Sequence, residues 1–481
     1  MRILLVRPQY RGLYKLIKAN AKKNLVVPPL GLLYVAAMLE KSGEQVEIID
    51  GEIESFTIRE LALEAVKRKP DLIGVGATSV DFHLAKIFAE EIKKCSDITV
   101  ILGGPHATVL PDKVLQENSC FDFLVRGEGE VTSVELVRVL KNSGKAGLKS
   151  VLGISYKMGR DIIHNPDRPL FNFQKDCVWP ARHLLKLNKY MFPSPKKGMR
   201  QMTVVQATRG CPFGCIYCYK MFGHVVRQRS ISDVLAELKY VVRDLGCERV
   251  SFVDDTFTLD SSRVIELCEG IVKEKLKFGW ICLARADTIN TAMVKAMKAA
   301  GCDMISMGVE SGNDAILKAI GKGENRADFV NAFSILHNEG MTARASFILG
   351  LPGEARETIE ETIRFSQELR VDRAFFNICT PYPKTLLWDI AENGQALSFV
   401  DREFEYFTRW GNSVIELPGI SAVDLKAYQR KAMIDFYCRP KIIFKHLTEF
   451  LSGNAASYYY RPLLFAIREK LKDVFSRIKS R

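Results

Sequence analysis

The sequence predicts an α/β protein: a doubly wound, Rossmann-like parallel sheet over residues 1–140, a connector over 141–195, a partial (β/α)6 TIM-type barrel over 196–395, and a mainly helical region over 396–481. Three observations carry this reading. Short apolar runs alternate with amphipathic stretches along the first 140 residues. Six more apolar runs recur after the connector with helical stretches between them. In both halves, small or polar residues follow the runs directly, which is where parallel α/β sheets bind ligands. At 481 residues, two or three domains are expected.

In the first half the strands fall at residues 3–6, 46–49, 72–75, 100–102 and 123–125, with helices from about Leu32, Thr57, Phe82, Lys113 and Val131. The loops at the strand ends are Gly74-Val-Gly-Ala-Thr78-Ser79, Gly103-Gly104-Pro105-His106 and Arg126-Gly127-Glu128-Gly129-Glu130. Glycine there lets backbone approach a large ligand closely. His106 reads as a surface hydrogen-bonder as readily as a ligand. In the connector, residues 150–156 and 164–169 suggest a small hairpin. Val178-Trp-Pro180 and Phe192-Pro-Ser-Pro195 read as irregular, proline-stiffened chain. Barrel strands are expected at 203–207, 249–253, 279–283, 304–309, 342–349 and 374–379, because a repeating βα unit of this length closes into a parallel barrel.

Directly after the first barrel strand lies Thr208-Arg-Gly-Cys-Pro-Phe-Gly-Cys-Ile-Tyr-Cys-Tyr219, which places Cys211, Cys215 and Cys218 within eight residues. A full Fe–S cube takes four thiolates and a zinc site four ligands, so three cysteines in this spacing suggest a [4Fe–4S] cluster with one iron left open. A zinc loop or three buried thiols is the alternative. The other nine cysteines stand singly and read mostly as packing.

This motif resembles the signature of the radical S-adenosylmethionine (SAM) superfamily, including Tyr217 before the third cysteine, which the resemblance places beside adenine. It implies that SAM chelates the open iron and is cleaved reductively to methionine and a 5′-deoxyadenosyl radical, with an electron donor such as flavodoxin or ferredoxin. Six βα units match that family's partial barrel. Asp254-Asp255-Thr-Phe257, Arg285-Ala-Asp287, Glu310-Ser311-Gly312 and Gly350-Leu-Pro-Gly353-Glu354 close successive strands and resemble its SAM-binding motifs. Arg285 suits a carboxylate through its planar fork, Glu310 could accept from ribose hydroxyls, and Gly350 and Gly353 would admit adenine. Read singly, each is also an ordinary turn. Thr380-Pro-Tyr-Pro-Lys-Thr385 resembles the family too and is expected near substrate.

With Pro28-Pro-Leu-Gly31, the first sheet resembles the cobalamin-binding domain that precedes the barrel in one large subclass. That resemblance assigns Thr78, Ser79, Gly103, Gly104, Pro105, Gly127 and Glu128 to the corrin. The Asp-x-His-x-x-Gly lower-ligand motif is absent, because Asp81-Phe-His83 runs on to Lys86 and follows the third strand. Cobalamin is therefore expected without a protein histidine on cobalt. A sheet that has kept its shape and lost the corrin stays open as an alternative.

A cobalamin-type sheet ahead of a radical SAM barrel resembles the class of enzymes that methylate unactivated carbon, and that resemblance implies the same reaction here. Radical oxidation, cyclisation, rearrangement or carbon–carbon coupling is the alternative within the family. A basic RNA-binding protein with a structural cluster is the alternative from another class. The sequence disfavours it, because no RNA-binding motif appears and the positive charge gathers at the tail. Of the net +13, from 69 Lys+Arg against 56 Asp+Glu, the stretch from Arg439 to Arg481 carries +7. Leu463, Leu464, Ile467, Leu471, Val474, Phe475 and Ile478 follow helical spacing opposite Arg468, Lys470, Lys472, Arg477 and Lys479. Such a helix suits either an anionic membrane surface or docking on the barrel. The expected substrate is hydrophobic or amphipathic, an isoprenoid lipid being one example, with a soluble small molecule or peptide as the alternative. Aromatic residues within 404–410 would line the barrel gap. Unpaired cysteines, no signal peptide and no long apolar run argue for a cytoplasmic protein, peripheral to the inner membrane face where the tail binds it.

Overall fold

A computed structural model describes residues 1–9, 26–54, 56–194, 198–451 and 460–479. Side chains of residues 473–479, including Val474, Phe475, Arg477, Ile478 and Lys479, lie outside the described part, as does Pro195.

The first sheet contains β1 (Arg2–Arg7), β2 (Gln45–Asp50), β3 (Leu72–Gly76), β4 (Thr99–Gly103), β5 (Phe123–Val125), β6 (Ile154–Met158) and β7 (Asp161–His164). Their order is β2-β1-β3-β4-β5-β6-β7, parallel through β5. The order reverses beside β1 and β3, the switch point at which doubly wound sheets bind ligands. These strands are apolar on both faces because helices cover both; Leu4, Val6, Ile73 and Leu102 are buried on one side, and Leu5, Leu72 and Ile101 on the other.

The connector departs from expectation in three ways. Residues 144–150 form a 3-10 turn, and β6 and β7 do not stand alone: β6 pairs antiparallel with β5, so the hairpin extends the first sheet. Residues 191–194, expected as irregular, form β8 (Met191–Ser194) on the edge of the second sheet, where a proline's missing N–H is tolerated. Buried Arg182 ties the connector to that sheet, donating to Thr203 Oγ1 (2.9 Å) and the Val204 carbonyl (2.6 Å) and pairing with Glu237 (2.6 Å).

The second sheet adds β9 (Gly198–Val205), then, past a short ribbon of β10 (Thr208–Arg209) with β11 (Arg227–Gln228), β12 (Arg249–Phe252), β13 (Gly279–Ala284), β14 (Cys302–Glu310), β15 (Thr342–Leu349) and β16 (Arg373–Ile378). Its order is β16-β15-β14-β13-β12-β9-β8, with six parallel strands from β9 to β16. Along β15, Ala343, Ala345, Phe347 and Leu349 are buried beneath the outer helices, while Thr342, Arg344, Ser346 and Ile348 are half-buried on the inner face. The interior of this curled sheet is therefore partly polar and open, unlike the filled core of a closed barrel.

Four helices follow among the described residues, Leu386–Asn393, Ala422–Tyr437, Pro440–Leu451 and Arg461–Lys479. The last one packs on the second core through buried Leu463 and Ala466. Of its apolar stripe, Leu463 is buried and Ile467 half-buried, while Leu464 and Leu471 are exposed. No described helix is long and apolar enough to cross a membrane.

Candidate active site

The cysteine loop is held at its base and along its length by backbone. The β10–β11 ribbon closes residues 210–226 into one excursion. Gly210 sits at φ +99°, where an added Cβ would collide with the Val225 carbonyl, and its N–H donates to Asp255 Oδ2 (2.9 Å). The Cys211 N–H donates to the Gly223 carbonyl (3.1 Å), and Ile216 is fixed to Ile320 (3.1 Å) and Leu387 (3.0 Å). Cys211, Cys215 and Cys218 all line a cavity of about 620 Å³ at the carboxyl ends of β9 to β16. Among the described residues no three His, Cys, Asp or Glu side chains are gathered tightly enough to hold a single ion. Burial and the neighbouring Cys215 and Cys211 push the Cys218 thiol up to about 11. Thiols that oppose one another's ionisation are a fit for a cationic cluster, whose charge reverses that effect.

Tyr217, Asp255, Arg285 and Glu310 line the same cavity. The Tyr217 hydroxyl donates to Glu310 Oε1 (3.4 Å). Glu310 follows a register shift in β14 and adopts φ +68°, uncommon for a residue with a side chain. A Cβ on Gly308 would occupy the place of its carboxylate. Burial raises the Glu310 pKa, opposed by Lys322 at 3.8 Å. Arg285 lies 3.5 Å over the Phe213 ring and forks onto Asp287 (3.0 and 2.7 Å), with Glu324 at 3.3 Å.

Four expected SAM residues are placed elsewhere. Asp254 is fully buried and accepts from the Ala207 N–H (3.1 Å) and Thr208 Oγ1 (2.7 Å), so it fixes the start of the cysteine loop from beneath. Ser311 is buried against Thr362 (3.2 Å). Gly350 and Gly353, at φ +91° and +84°, serve a turn outside the cavity lining, and a Cβ on Gly350 would meet the Leu425 side chain at 3.1 Å. The Thr380–Thr385 run also turns inward, with Tyr382 donating to the Phe407 carbonyl (2.9 Å). Of the 404–410 aromatics only Trp410 lines the cavity, and Phe407 is core. Sequence reasoning missed Lys322, Arg344, Arg409 and Arg461, all in the lining. Two carried a legible signal: Lys322 stands between two glycines, and Arg344 breaks the apolar run of a parallel strand.

A second cavity, about 530 Å³, lies over the carboxyl ends of the first sheet. Thr78, Gly103, Gly104, Pro105, Gly127 and Glu128 line it, and the barrel contributes Gln206, Arg209, Met221 and Phe222. At Gly104, φ +93°, a Cβ would stand 2.7 Å from the Ala77 carbonyl. A glycine floor over parallel strand ends fits a broad, flat cofactor. Ser79 is not in the lining; its hydroxyl meets His106 Nδ1 (3.1 Å). His106 is no surface residue but stacks 4.0 Å from the Phe82 ring, and burial, then Lys113, pushes its pKa down to about 3. Glu128 is engaged by Arg209 (2.7 Å), Arg227 (2.7 Å) and the Phe171 N–H (2.8 Å), which makes it a tie between the two sheets. Among the described residues no histidine lines this cavity; His83 stands 3.9 Å from Glu405.

Comparison with known proteins agrees with this geometry. Residues 205–366 match the Radical SAM superfamily and residues 16–137 the B12 binding domain. An uncharacterised methyltransferase of Pyrococcus horikoshii is 36% identical over 93% of this chain and 95% of its own. The anaerobic magnesium-protoporphyrin IX monomethyl ester cyclase of Cereibacter sphaeroides is 27% identical over 81% of this chain and 63% of its own. In fold, the chain is similar to the radical SAM methyltransferase TsrM of Kitasatospora setae, with a TM-score of 0.70 at 16% identity over 92% of this chain and 89% of that one. The class so defined is a radical SAM enzyme with a cobalamin domain ahead of its barrel. Within that class, the chain belongs to the cobalamin-dependent, methyltransferase-like radical SAM family, whose cofactors are a [4Fe–4S] cluster, SAM and cobalamin.

Proposed function

We propose that this protein methylates an unactivated carbon of a hydrophobic or amphipathic substrate, an isoprenoid lipid being one member of that class. The observation that carries the reading is the adjacency of the two cavities: one chain segment, residues 206–222, supplies Gln206, Arg209, Met221 and Phe222 to the cobalamin-side cavity and all three cysteines to the other. Bound together, the cofactors supply a hydrogen-abstracting radical and a transferable methyl group. The chain's own residues bind and orient them. Cys211, Cys215 and Cys218 hold the cluster. Tyr217, Asp255, Arg285, Glu310 and Lys322 surround SAM, with Arg285 and Lys322 toward its carboxylate and Glu310 toward its hydroxyls. Thr78, Gly103, Gly104, Pro105 and Gly127 carry the corrin. A flavodoxin- or ferredoxin-type protein donates electrons.

Incubating the reduced holoenzyme with SAM bearing a deuterated methyl group and a fractionated cell extract tests the reaction. Methylation yields 5′-deoxyadenosine, S-adenosylhomocysteine and a product carrying the label. 5′-Deoxyadenosine with unlabelled product instead supports ring closure or oxidation, the reading that the cyclase relative favours. Exposed Arg468, Lys470 and Lys472 support contact with an anionic membrane, each contributing on the order of 1 kcal/mol near such a surface. Co-sedimentation with anionic vesicles at low and physiological salt, against a variant with all three changed to Gln, checks that contact.

A further inference from the structure

The cluster-side cavity is asymmetric in charge. Near the cysteine loop, the two cations Arg285 and Lys322 meet Asp287, Glu324 and Glu310 within 4 Å. Across the sheet in strand order, β15, β16, residues 408–410 and the last helix supply the rest of the wall. This part carries Arg344, Arg409 and Arg461 and, among the described residues, no carboxylate of its own in the lining, although Arg409 acts on Glu310 across the cavity and bonds Tyr382. Aromatic rings alternate with those cations: Phe375 lies 5.6 Å from the Arg344 guanidinium, and Trp410 meets Phe465 edge-on at 5.8 Å.

Two of the three cations are positioned by their surroundings. Arg344 occupies an inner-face position of β15, and its Nε donates to Ser306 Oγ (2.7 Å) on the neighbouring strand. Arg409 holds a positive φ of +59°, and its carbonyl is fixed by the Ile378 N–H (2.8 Å) and Gln429 Nε2 (3.1 Å). A side-chain-bearing residue keeps such a backbone only where its surroundings impose it, and such residues gather at ligand sites. Arg461 begins the terminal helix, so the docking of that helix brings the third cation to the cavity.

We propose that this far wall is the substrate subsite, and that its ligand is an anion, carboxylate or phosphate, carried on an apolar or aromatic body. The inference rests on the proposed function for the reaction but not for the binding chemistry. Guanidinium groups clustered in a partly desolvated pocket select oxyanions by charge and by their fork of donors, and the rings between them cover an apolar body. The head of the substrate is thereby held on the β15–β16 side, and Leu283 in the lining offers apolar surface to its body.

Calorimetric binding of 2-naphthoate, 2-naphthyl phosphate and 2-naphthol to the cluster-loaded full chain tests the subsite. Both anions, or one of them, should bind at least tenfold more tightly than the neutral phenol, and the ratio between them assigns the head group. Arg344→Gln with Arg409→Gln should remove about tenfold of that preference while naphthol binding stays within twofold. Arg461→Gln alone, on the helix end, should remove about threefold. Equal binding of all three probes by the unaltered protein overturns the proposal without any variant, as does a preference that survives in a folded double variant. Iron content and SAM affinity, read on the same samples, report separately on the radical SAM site, so its failure is distinguishable from failure of the subsite.

Discussion

Arg209 stands two residues before Cys211, yet its guanidinium belongs as much to the other sheet. It pairs with Glu128 and Glu130, each at 2.7 Å, and lies over the rings of Phe173 (4.4 Å), Tyr34 (4.8 Å) and Phe222 (4.9 Å). Burying two carboxylates here is tolerable only because the cation is present. Arg209→Gln should therefore lower stability by about 3–5 kcal/mol and weaken cobalamin retention, in denaturant titration and gel filtration respectively. Arg209→Lys, which keeps the charge but loses the fork, should fall between. A second residue gives a pH signature. Burial pushes the Glu354 carboxyl up to about 7 from the ordinary 4.5, although the Leu351 and Gly350 N–H groups favour its charged form. Between these values the folded chain holds a proton that the unfolded chain has released, so stability falls as pH rises through that window and levels off above it. Glu354→Gln removes this slope. The variant should gain about 2.5 kcal/mol on the wild type between pH 5 and pH 8, measured by urea denaturation.

The elements explain why the cysteines are presented together. A two-residue ribbon, a glycine in the left-handed region and contacts from Ile320 and Leu387 make the loop part of the barrel rather than a flexible appendage. The β14 register shift does the same for Glu310, turning its carboxylate back over Gly308 toward Tyr217. The terminal helix has a structural task as well as a basic face. Leu463 is buried beside Ala466 in the second core, and Phe465 reaches the cavity wall. Leu463→Ala should cost about 2–5 kcal/mol by the cavity it leaves, seen as a lower denaturation midpoint, and should loosen the cavity's cover. An unchanged midpoint would show that the helix is not docked in solution. The neighbouring helix Pro440–Leu451 exposes Phe444, Leu447 and Leu451.

At the scale of the whole molecule, two sheets meet so that the carboxyl ends of both face one shared segment. Anaerobic reconstitution should load about four irons per chain, and replacing Cys211, Cys215 and Cys218 by Ala together should abolish them, by iron assay and absorption. Bound cobalamin should show no histidine ligation, and His83→Ala should leave its spectrum unchanged, because that side chain lies beside Glu405 and outside the cavity lining. A histidine signature lost in that variant would refute the placement.

What the sequence determined by itself was whatever depends on local order. The apolar periodicity located the parallel strands in both sheets to within a few residues, since an apolar run flanked by helices has one stable arrangement. The cysteine spacing marked the candidate cluster loop, because three thiols fall within eight residues, while the ribbon and Gly210 give that loop its shape. Tertiary structure alone decided which strand-end residues reach a cavity. Asp254, Ser311, Gly350 and Gly353 sit in the expected motifs but turn into the core or a tight turn, since adjacent residues at a strand end point in opposite directions. Arg344, Arg409 and Arg461 come from a strand interior, a strained turn and a distant helix, and only the curl of the sheet and the docking of that helix bring them to one wall. Glu128 and Arg209, 81 residues apart, likewise became partners only when two separately coded sheets packed together, because a salt bridge between domains leaves no period in the chain to read.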